Sequence, residues 1–358
     1  MQAIYICTRT RLLLIKYDEK RSTLHMTKQS LQVLFDAMYH GKHSFDDFMH
    51  SSVQEHYEVF LPGKVGKRTI FKPKENLKIY QKFLNLFLFE FLPLNERVVF
   101  SYRKGLSAYN AVEKHRSGRY FFQTDISSFF ESIDSALVRK TILAGESFTP
   151  VSDVHEHINR ILELVCVNDS LPIGFPASAP LSNCVLLDFD NEIEGVCESM
   201  RLSYSRYADD IIISGKEKEV PSNMPDIVQS ILHKSASEKL YLNKGKTKFF
   251  QTGGKLKILG MLILPNGKIS PDTKKKRELE VLLHFYLTDR TKFNEMVSEI
   301  KARSGKKGVG HEDEYPDVLS GNLNYVDSID PDYTDKLRRK FGVATIDSLM
   351  YKELSGKK

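Results

Sequence analysis

The stretch LSYSRYADDIIIS, Leu202 to Ser214, sets β-forming residues on both sides of Ala208, Asp209 and Asp210. That pattern predicts two short strands hinged on a tight turn, with two neighbouring acids at the hairpin tip. Asp is also an ordinary turn former, so the hairpin by itself does not separate a site from a loop.

Working outward, YFFQTDI (Tyr120 to Ile126) is an aromatic and β-branched run ending in an acid and then Ser127 and Ser128. It reads as a buried strand whose end presents Asp125; the alternative is that Asp125 caps a following helix. Pro172 to Pro180 is rich in Gly, Pro and Ser, and Leu181 to Ile193 reads as a helix entered from it. Such a junction offers free N–H groups to a phosphate or sugar. Nearer the start, Leu77 to Phe91 repeats apolar residues at helical spacing until Pro93 stops it.

Toward the other end, Leu256 to Leu264, with Gly260 inside and Pro265, Asn266 and Gly267 after it, predicts a strand ending in a turn. The remainder to Lys358 is mostly helical and polar, with one flexible link expected from Ser304 to Glu314. Strands and helices mixed in this way predict an α+β protein.

Composition narrows the partners. Lys and Arg outnumber Asp and Glu by 52 to 46 over 358 residues, and the excess is clustered in Lys64 to Lys78, Lys244 to Lys257, Lys274 to Arg277 and Lys301 to Lys307. Polyanionic partners fit that pattern, although any single cluster taken alone reads first as a solvated face. The four cysteines show no metal-ligand spacing, which argues for a reducing compartment and against a zinc site. Leu12 to Ile15 is too short for a signal or a membrane span, so a cytoplasmic protein with no membrane partner is expected. Gly253, Gly254 and Lys255 lack the flanking residues of a Walker loop.

Nucleotidyl transfer uses two divalent metals held by converging carboxylates, which are hard oxygen ligands. Asp209 and Asp210 supply two, and a third must come from a separate strand; Asp125 is the candidate. Strand-Asp, Gly/Pro/Ser loop into a helix, Tyr-x-Asp-Asp hairpin and a lysine-bearing turn occur here in that order. The series resembles the bacterial reverse transcriptases, a group that includes retron, group II intron and phage-defence enzymes, from about Tyr57 to Arg339.

The resemblance implies a right-hand polymerase: an N-terminal segment and fingers over 1–100, a palm over 101–265 with an interleaved fingers segment at about 140–180, and a helical thumb over 266–358. In it, Asp125, the Ile126 carbonyl, Asp209 and Asp210 would bind Mg²⁺ or Mn²⁺. Arg68 in KRTIFKP would meet the incoming triphosphate. Phe130 would be the aromatic gate against a ribose 2′-hydroxyl, favouring dNTPs; core packing, and a competing Phe129, are the other readings. Gly174 and Ser178 would line the nucleotide. Lys246 in LNKGKT would donate a proton to pyrophosphate, or else be a surface lysine. Lys72, Lys274, Lys275, Arg338 and Arg339 would contact the template–primer backbone, and KILGMLI resembles the primer-grip strand pair.

One departure stands out. Most templating members carry Pro-Gln-Gly where this chain has Pro172, Ile173 and Gly174, as some defence-associated members resemble it in doing. Losing the amide puts templated selection in question. The expectation is therefore an RNA-directed DNA polymerase that takes an RNA template or noncoding RNA, a DNA primer and dNTPs, acting in anti-phage defence with an effector protein encoded nearby. Untemplated or protein-primed synthesis is the second reading, and a non-catalytic RNA-binding scaffold the reading from another class. Phe130 disfavours an RNA-directed RNA polymerase.

Overall fold

The structure is a computed structural model that describes residues 3–5, 14–18, 23–61, 68–252, 256–303 and 315–350. The expected link from Ser304 to Glu314 lies outside them, as do Lys64, Lys67 and Gly253 to Lys255. The chain divides into two compact units: 1–106, 122–214 and 220–249 form the first, and 107–121, 215–219 and 250–358 the second.

In the first unit, helices Leu31–Tyr39, Phe45–His50 and Glu75–Phe87 bury Phe35, Phe48 and Phe83 completely, with edge-on or tilted rings 5.1 to 5.8 Å apart. The first two helices start where Ser30 and Ser44 accept N–H bonds from Val33 and Asp47. The run expected to be one helix to Phe91 is α-helical to Phe87. A 3-10 turn, Phe89–Phe91, completes it, because Leu88 leaves helical geometry at φ −124°.

A four-stranded sheet runs in the order Leu202–Tyr207, Asp210–Gly215, Tyr120–Asp125, Lys248–Gln251. The two central strands are those that carry Asp210 and Asp125. Ile211, Ile212 and Ile213 are all fully buried, so the strand is covered on both faces. Helix Leu187–Ser199 packs on Leu202–Tyr207 and on helix Met224–Ser235.

The helix expected from Leu181 to Ile193 is two helices, Ser178–Cys184 and Leu187–Ser199. At the break the Asn183 carbonyl accepts both Arg206 Nη2 at 3.2 Å and the Leu186 N–H at 3.4 Å, a tightened last turn with a side chain inserted at its end. Upstream, the hairpin Tyr57–Phe60 and Ile70–Pro73 is sewn to the loop before this helix by the Phe71 N–H, which donates to the Ile173 carbonyl at 2.8 Å.

Gly174 permits that approach. Its φ is +107°, and a Cβ there would stand 2.4 Å from the Phe71 carbonyl oxygen. Gly174→Ala should therefore destabilise the chain by about 2 kcal/mol or more, seen as a lower urea midpoint at unchanged slope. An unchanged midpoint would mean that the loop yields freely.

In the second unit, the stretch expected to be one strand over Leu256 to Leu264 is a hairpin, Lys257–Ile258 and Met261–Ile263, extended by Ile269–Pro271. Leu259 and Gly260 at φ +47° and +83° make the turn that reverses it. Helices Thr273–Thr288, Arg290–Arg303, Tyr315–Asp327, Pro331–Phe341 and Val343–Met350 follow, as the helical expectation had it. They enclose an apolar core that includes Leu279, Leu283, Phe293, Leu323, Leu337 and Ile346. No helix among the described residues is long and apolar enough to cross a membrane.

Candidate active site

Backbone pairing brings the acids together. Asp125 closes its strand, Asp209 lies in the two-residue link of the Leu202–Tyr207 hairpin, and Asp210 opens the return strand. The Ile126 N–H donates to the Asp209 carbonyl at 3.1 Å, and the Asn243 N–H donates to the Asp125 carbonyl at 2.8 Å. The end of one strand is thus tied to the tip of the other. Asp134, not Asp125, caps the next helix, Ser135–Gly145.

Asp125 is 2% exposed. Its Oδ2 forms an ion pair with Lys246 Nζ at 2.5 Å, while its buried Oδ1 has no hydrogen-bond partner among the described residues. Burial pushes the Asp209 carboxyl up, with Asp125 adding to the effect and Arg68 and Lys246 opposing it. Burial likewise pushes Asp210 up to about 6, followed by the charges of Asp209 and Asp125. The hydrogen bond to Asp125 holds the Lys246 ammonium above its ordinary range, so it stays charged.

Three like charges in a partly dewatered pocket repel, and an orphaned buried carboxylate oxygen is costly; a divalent cation relieves both. The donor set is all carboxylate, the hard oxygen chemistry that Mg²⁺ or Mn²⁺ prefers. The residues therefore fit the metals that the sequence implied. Among the described residues, Asp153, Glu156 and His157 do bring their ligand atoms within 4.8 Å of one another. That trio is committed internally, because Asp153 accepts the Leu31 N–H at 2.8 Å and pairs with His157 at 3.4 Å.

The other expected site residues fall into two groups. In the first unit, exposed Arg68 acts electrostatically on both Asp209 and Tyr102. Phe129 is 2% exposed and Phe130 half-buried, their rings tilted at 5.4 Å. Ile126 is fully buried and Lys72 exposed. Gly174 serves the close approach to Phe71. Ser178 is 2% exposed, with its hydroxyl donating to the Pro172 carbonyl at 2.7 Å, so the hydroxyl is committed to its own loop.

The second unit holds the remaining basic residues. Lys274 is exposed, and Lys275 pairs with Glu278 at 3.5 Å. Arg338 is spent on Asp335 and Asp347 at 2.7 and 2.9 Å, whereas Arg339 is exposed. Sequence reasoning passed over Gln123, which hydrogen-bonds Asp210; Tyr102, whose hydroxyl feels Asp209; and buried Arg206. For Arg206 a signal existed: Leu202, Tyr204 and Arg206 alternate along one strand, so a charge falls on a face otherwise buried.

A carboxylate cluster on the central strands of a helix-backed sheet, with an arginine and a lysine beside it, is the construction of a nucleotidyltransferase. Residues 62–263, more than half of the chain, match the family described as "Reverse transcriptase (RNA-dependent DNA polymerase)". The chain belongs to that family and is an RNA-directed DNA polymerase with the α+β polymerase fold. It is 24% identical to the Retron Ec83 reverse transcriptase of Escherichia coli over 316 residues, 85% of this chain and 93% of that protein. With the Retron Ec73 reverse transcriptase of Escherichia coli it shares 26% identity over 78% of this chain and 84% of that protein. With the Retron Mx65 reverse transcriptase of Myxococcus xanthus it shares 24% over 80% and 64%. Its relatives are thus bacterial retron reverse transcriptases.

Proposed function

We propose that Asp125, Asp209 and Asp210, with the Ile126 carbonyl, hold two Mg²⁺ or Mn²⁺ ions for DNA synthesis on an RNA template, a noncoding RNA included. The observation that carries the reading is the unpartnered, buried Oδ1 of Asp125 beside two carboxyls pushed upward by burial and by the charge of Asp125, with Asp209 adding to the push on Asp210. Divalent ions held there would supply activation of the primer 3′-hydroxyl and neutralise charge on the departing pyrophosphate.

The chain's own residues account for the rest. Arg68 meets the triphosphate, where its guanidinium offsets phosphate charge. Lys246, held charged by Asp125, would be the proton donor to the departing pyrophosphate. Phe130 excludes the ribose 2′-hydroxyl, with Gly174 shaping the loop beside the nucleotide. Lys72, Lys274, Lys275 and Arg339 contact the template–primer backbone, while fingers, palm and thumb divide the chain at about residues 100 and 265. We further propose a cytoplasmic role in anti-phage defence, with a noncoding RNA and an effector protein as partners, a reading that rests on the resemblance of the sequence motifs to phage-defence reverse transcriptases.

Purified protein given labelled dNTPs and Mg²⁺ should extend a DNA primer annealed to RNA, and an Asp209→Ala, Asp210→Ala variant should not. Ile173, half-buried and without an amide, favours a second reading, untemplated or protein-primed synthesis. Product formed without added RNA, and still formed after RNase treatment, would select it.

Metal should also register without turnover. Free Mg²⁺ at 100 times its dissociation constant should stabilise the fold by about 2.7 kcal/mol. The gain should shrink as pH falls through about 6, where protons compete for Asp210. A gain that does not vary between pH 5 and 8 would place the metal elsewhere.

A further inference from the structure

The strand leading into the acidic turn carries a full charge with no access to water. Arg206 is 0% exposed. Its Nε and Nη2 donate to the two oxygens of Asp190 at 2.8 and 2.6 Å, and the Tyr204 hydroxyl donates to the same carboxylate at 2.7 Å. Burying such a pair costs desolvation that the attraction often fails to recover, so stability alone is a poor reason for keeping it.

The rest of the guanidinium reaches the turn itself. Nη1 donates to the Ala208 carbonyl at 3.1 Å. Ala208 precedes Asp209 and holds φ +56°, a left-handed conformation that an alanine adopts only when its surroundings impose it. Its N–H is held as well, donating to Ser101 Oγ at 2.8 Å. Ser101 in turn donates to Asn183 Oδ1 at 3.0 Å and accepts Asn183 Nδ2 on its carbonyl at 2.7 Å. Arg206, Ser101, Asn183 and Asp190 are each 1% exposed or less.

Both polar groups of the strained residue are therefore gripped, the carbonyl by Arg206 and the N–H by Ser101. One residue further on, the Asp209 carbonyl receives the Ile126 N–H, which sits next to Asp125. Rotation of the Ala208–Asp209 peptide would move Asp209 relative to Asp125.

We infer that Arg206 and Ser101 are positioning residues: they lock the left-handed turn at Ala208 and so set the separation of the Asp209 and Asp125 carboxylates. They act through the backbone and touch no substrate. The inference rests on reading the three aspartates as metal ligands. Loss of the clamp should weaken cation binding and lower kcat while leaving the KM for dNTP nearly unchanged, because nothing in the clamp faces a nucleotide.

The test compares the parent chain with Ser101→Ala, Arg206→Lys and Asp209→Ala/Asp210→Ala. Mn²⁺ binding is measured by calorimetry, primer extension by steady-state kinetics, and thermal midpoints are taken in EDTA. Outer groups that orient ligands are worth about 10- to 100-fold in metal affinity, so Ser101→Ala and Arg206→Lys should raise the Mn²⁺ dissociation constant about tenfold. The dNTP KM should stay within about twofold of the parent value while kcat falls in step with metal occupancy.

Ser101→Ala keeps the ion pair and the packing, and it decides the matter alone if Arg206→Lys fails to fold. Parent-like Mn²⁺ affinity in a folded Ser101→Ala variant would overturn the clamp. A fall in kcat with metal affinity unchanged would overturn it too. If instead the parent binds Mn²⁺ no better than Asp209→Ala/Asp210→Ala does, it is the metal reading that fails.

Discussion

An Asp209→Asn, Asp210→Asn variant is expected to make no detectable DNA and yet, in EDTA, to melt at a higher temperature than the parent. The loss follows if the two acids hold metal: forfeiting several kcal/mol of transition-state stabilisation at about 1.4 kcal/mol per decade slows the reaction at least about a thousandfold. The gain follows from their titration. Asp210 is pushed up to about 6 in the folded chain against an ordinary 3.8, and Asp209 is raised as well. Between about pH 4 and 6 the native state binds a proton that the unfolded chain releases. Stability of the metal-free parent therefore falls as pH rises through that window and stays lower above it. Asn carries no such penalty. Discounted for the water that still reaches these half-buried groups, the relief is worth about 1 kcal/mol, or a few degrees. Lys246 keeps its partner Asp125, so the substitution orphans no buried cation. Melting curves in EDTA at pH 4.5 and 7.5 check the sign: the variant's gain on the parent should be markedly larger at the higher pH. A variant that melts below the parent at pH 7.5, or one that still extends primers, would remove the three-acid reading.

Local chemistry explains why this hairpin could be read from sequence. The strands flanking Asp209 and Asp210 are β-branched and aromatic, and the turn between them needs only two residues. Asp125 was legible for the same reason, at the end of a run that no helix would tolerate as a surface. What stayed hidden depends on partners distant along the chain. Lys246 looks like one lysine in a basic run until Asp125, 121 positions earlier, is found at its Nζ. Arg338 looks like a nucleic-acid contact until Asp335 and Asp347 take up its guanidinium. The break after Cys184 coincides with Arg206 bonding the Asn183 carbonyl from a strand 23 residues on, a contact that propensity does not encode. Gly260, by contrast, was a visible signal: a glycine inside a short apolar run marks a reversal as readily as an irregular strand.

Phe130→Ala should open synthesis to ribonucleotides. Phe129 and Phe130 are neighbours with the same side chain, and sequence gave each a claim to the gate. Burial separates them: Phe129 is 2% exposed and part of the core, whereas Phe130 is half-buried. A gate rejects a ribose by occupying the space of its 2′-hydroxyl, so truncation at Cβ removes the obstacle and leaves dNTP contacts in place. Shape differences of a few atoms are worth about 1 to 3 kcal/mol, and the kcat/KM ratio of dNTP over NTP should fall about 10- to 200-fold. The loss should come from faster NTP use rather than slower dNTP use. Phe129→Ala is the control, since emptying a core position costs about 3 to 5 kcal/mol of stability and should leave the ratio unchanged wherever the protein stays folded. The competing assignment, Phe129 as gate, predicts the reverse pattern. If Phe130→Ala keeps the parent ratio at full dNTP activity, selection against ribose must come from another part of the site, and the aromatic after Phe129 is a packing residue.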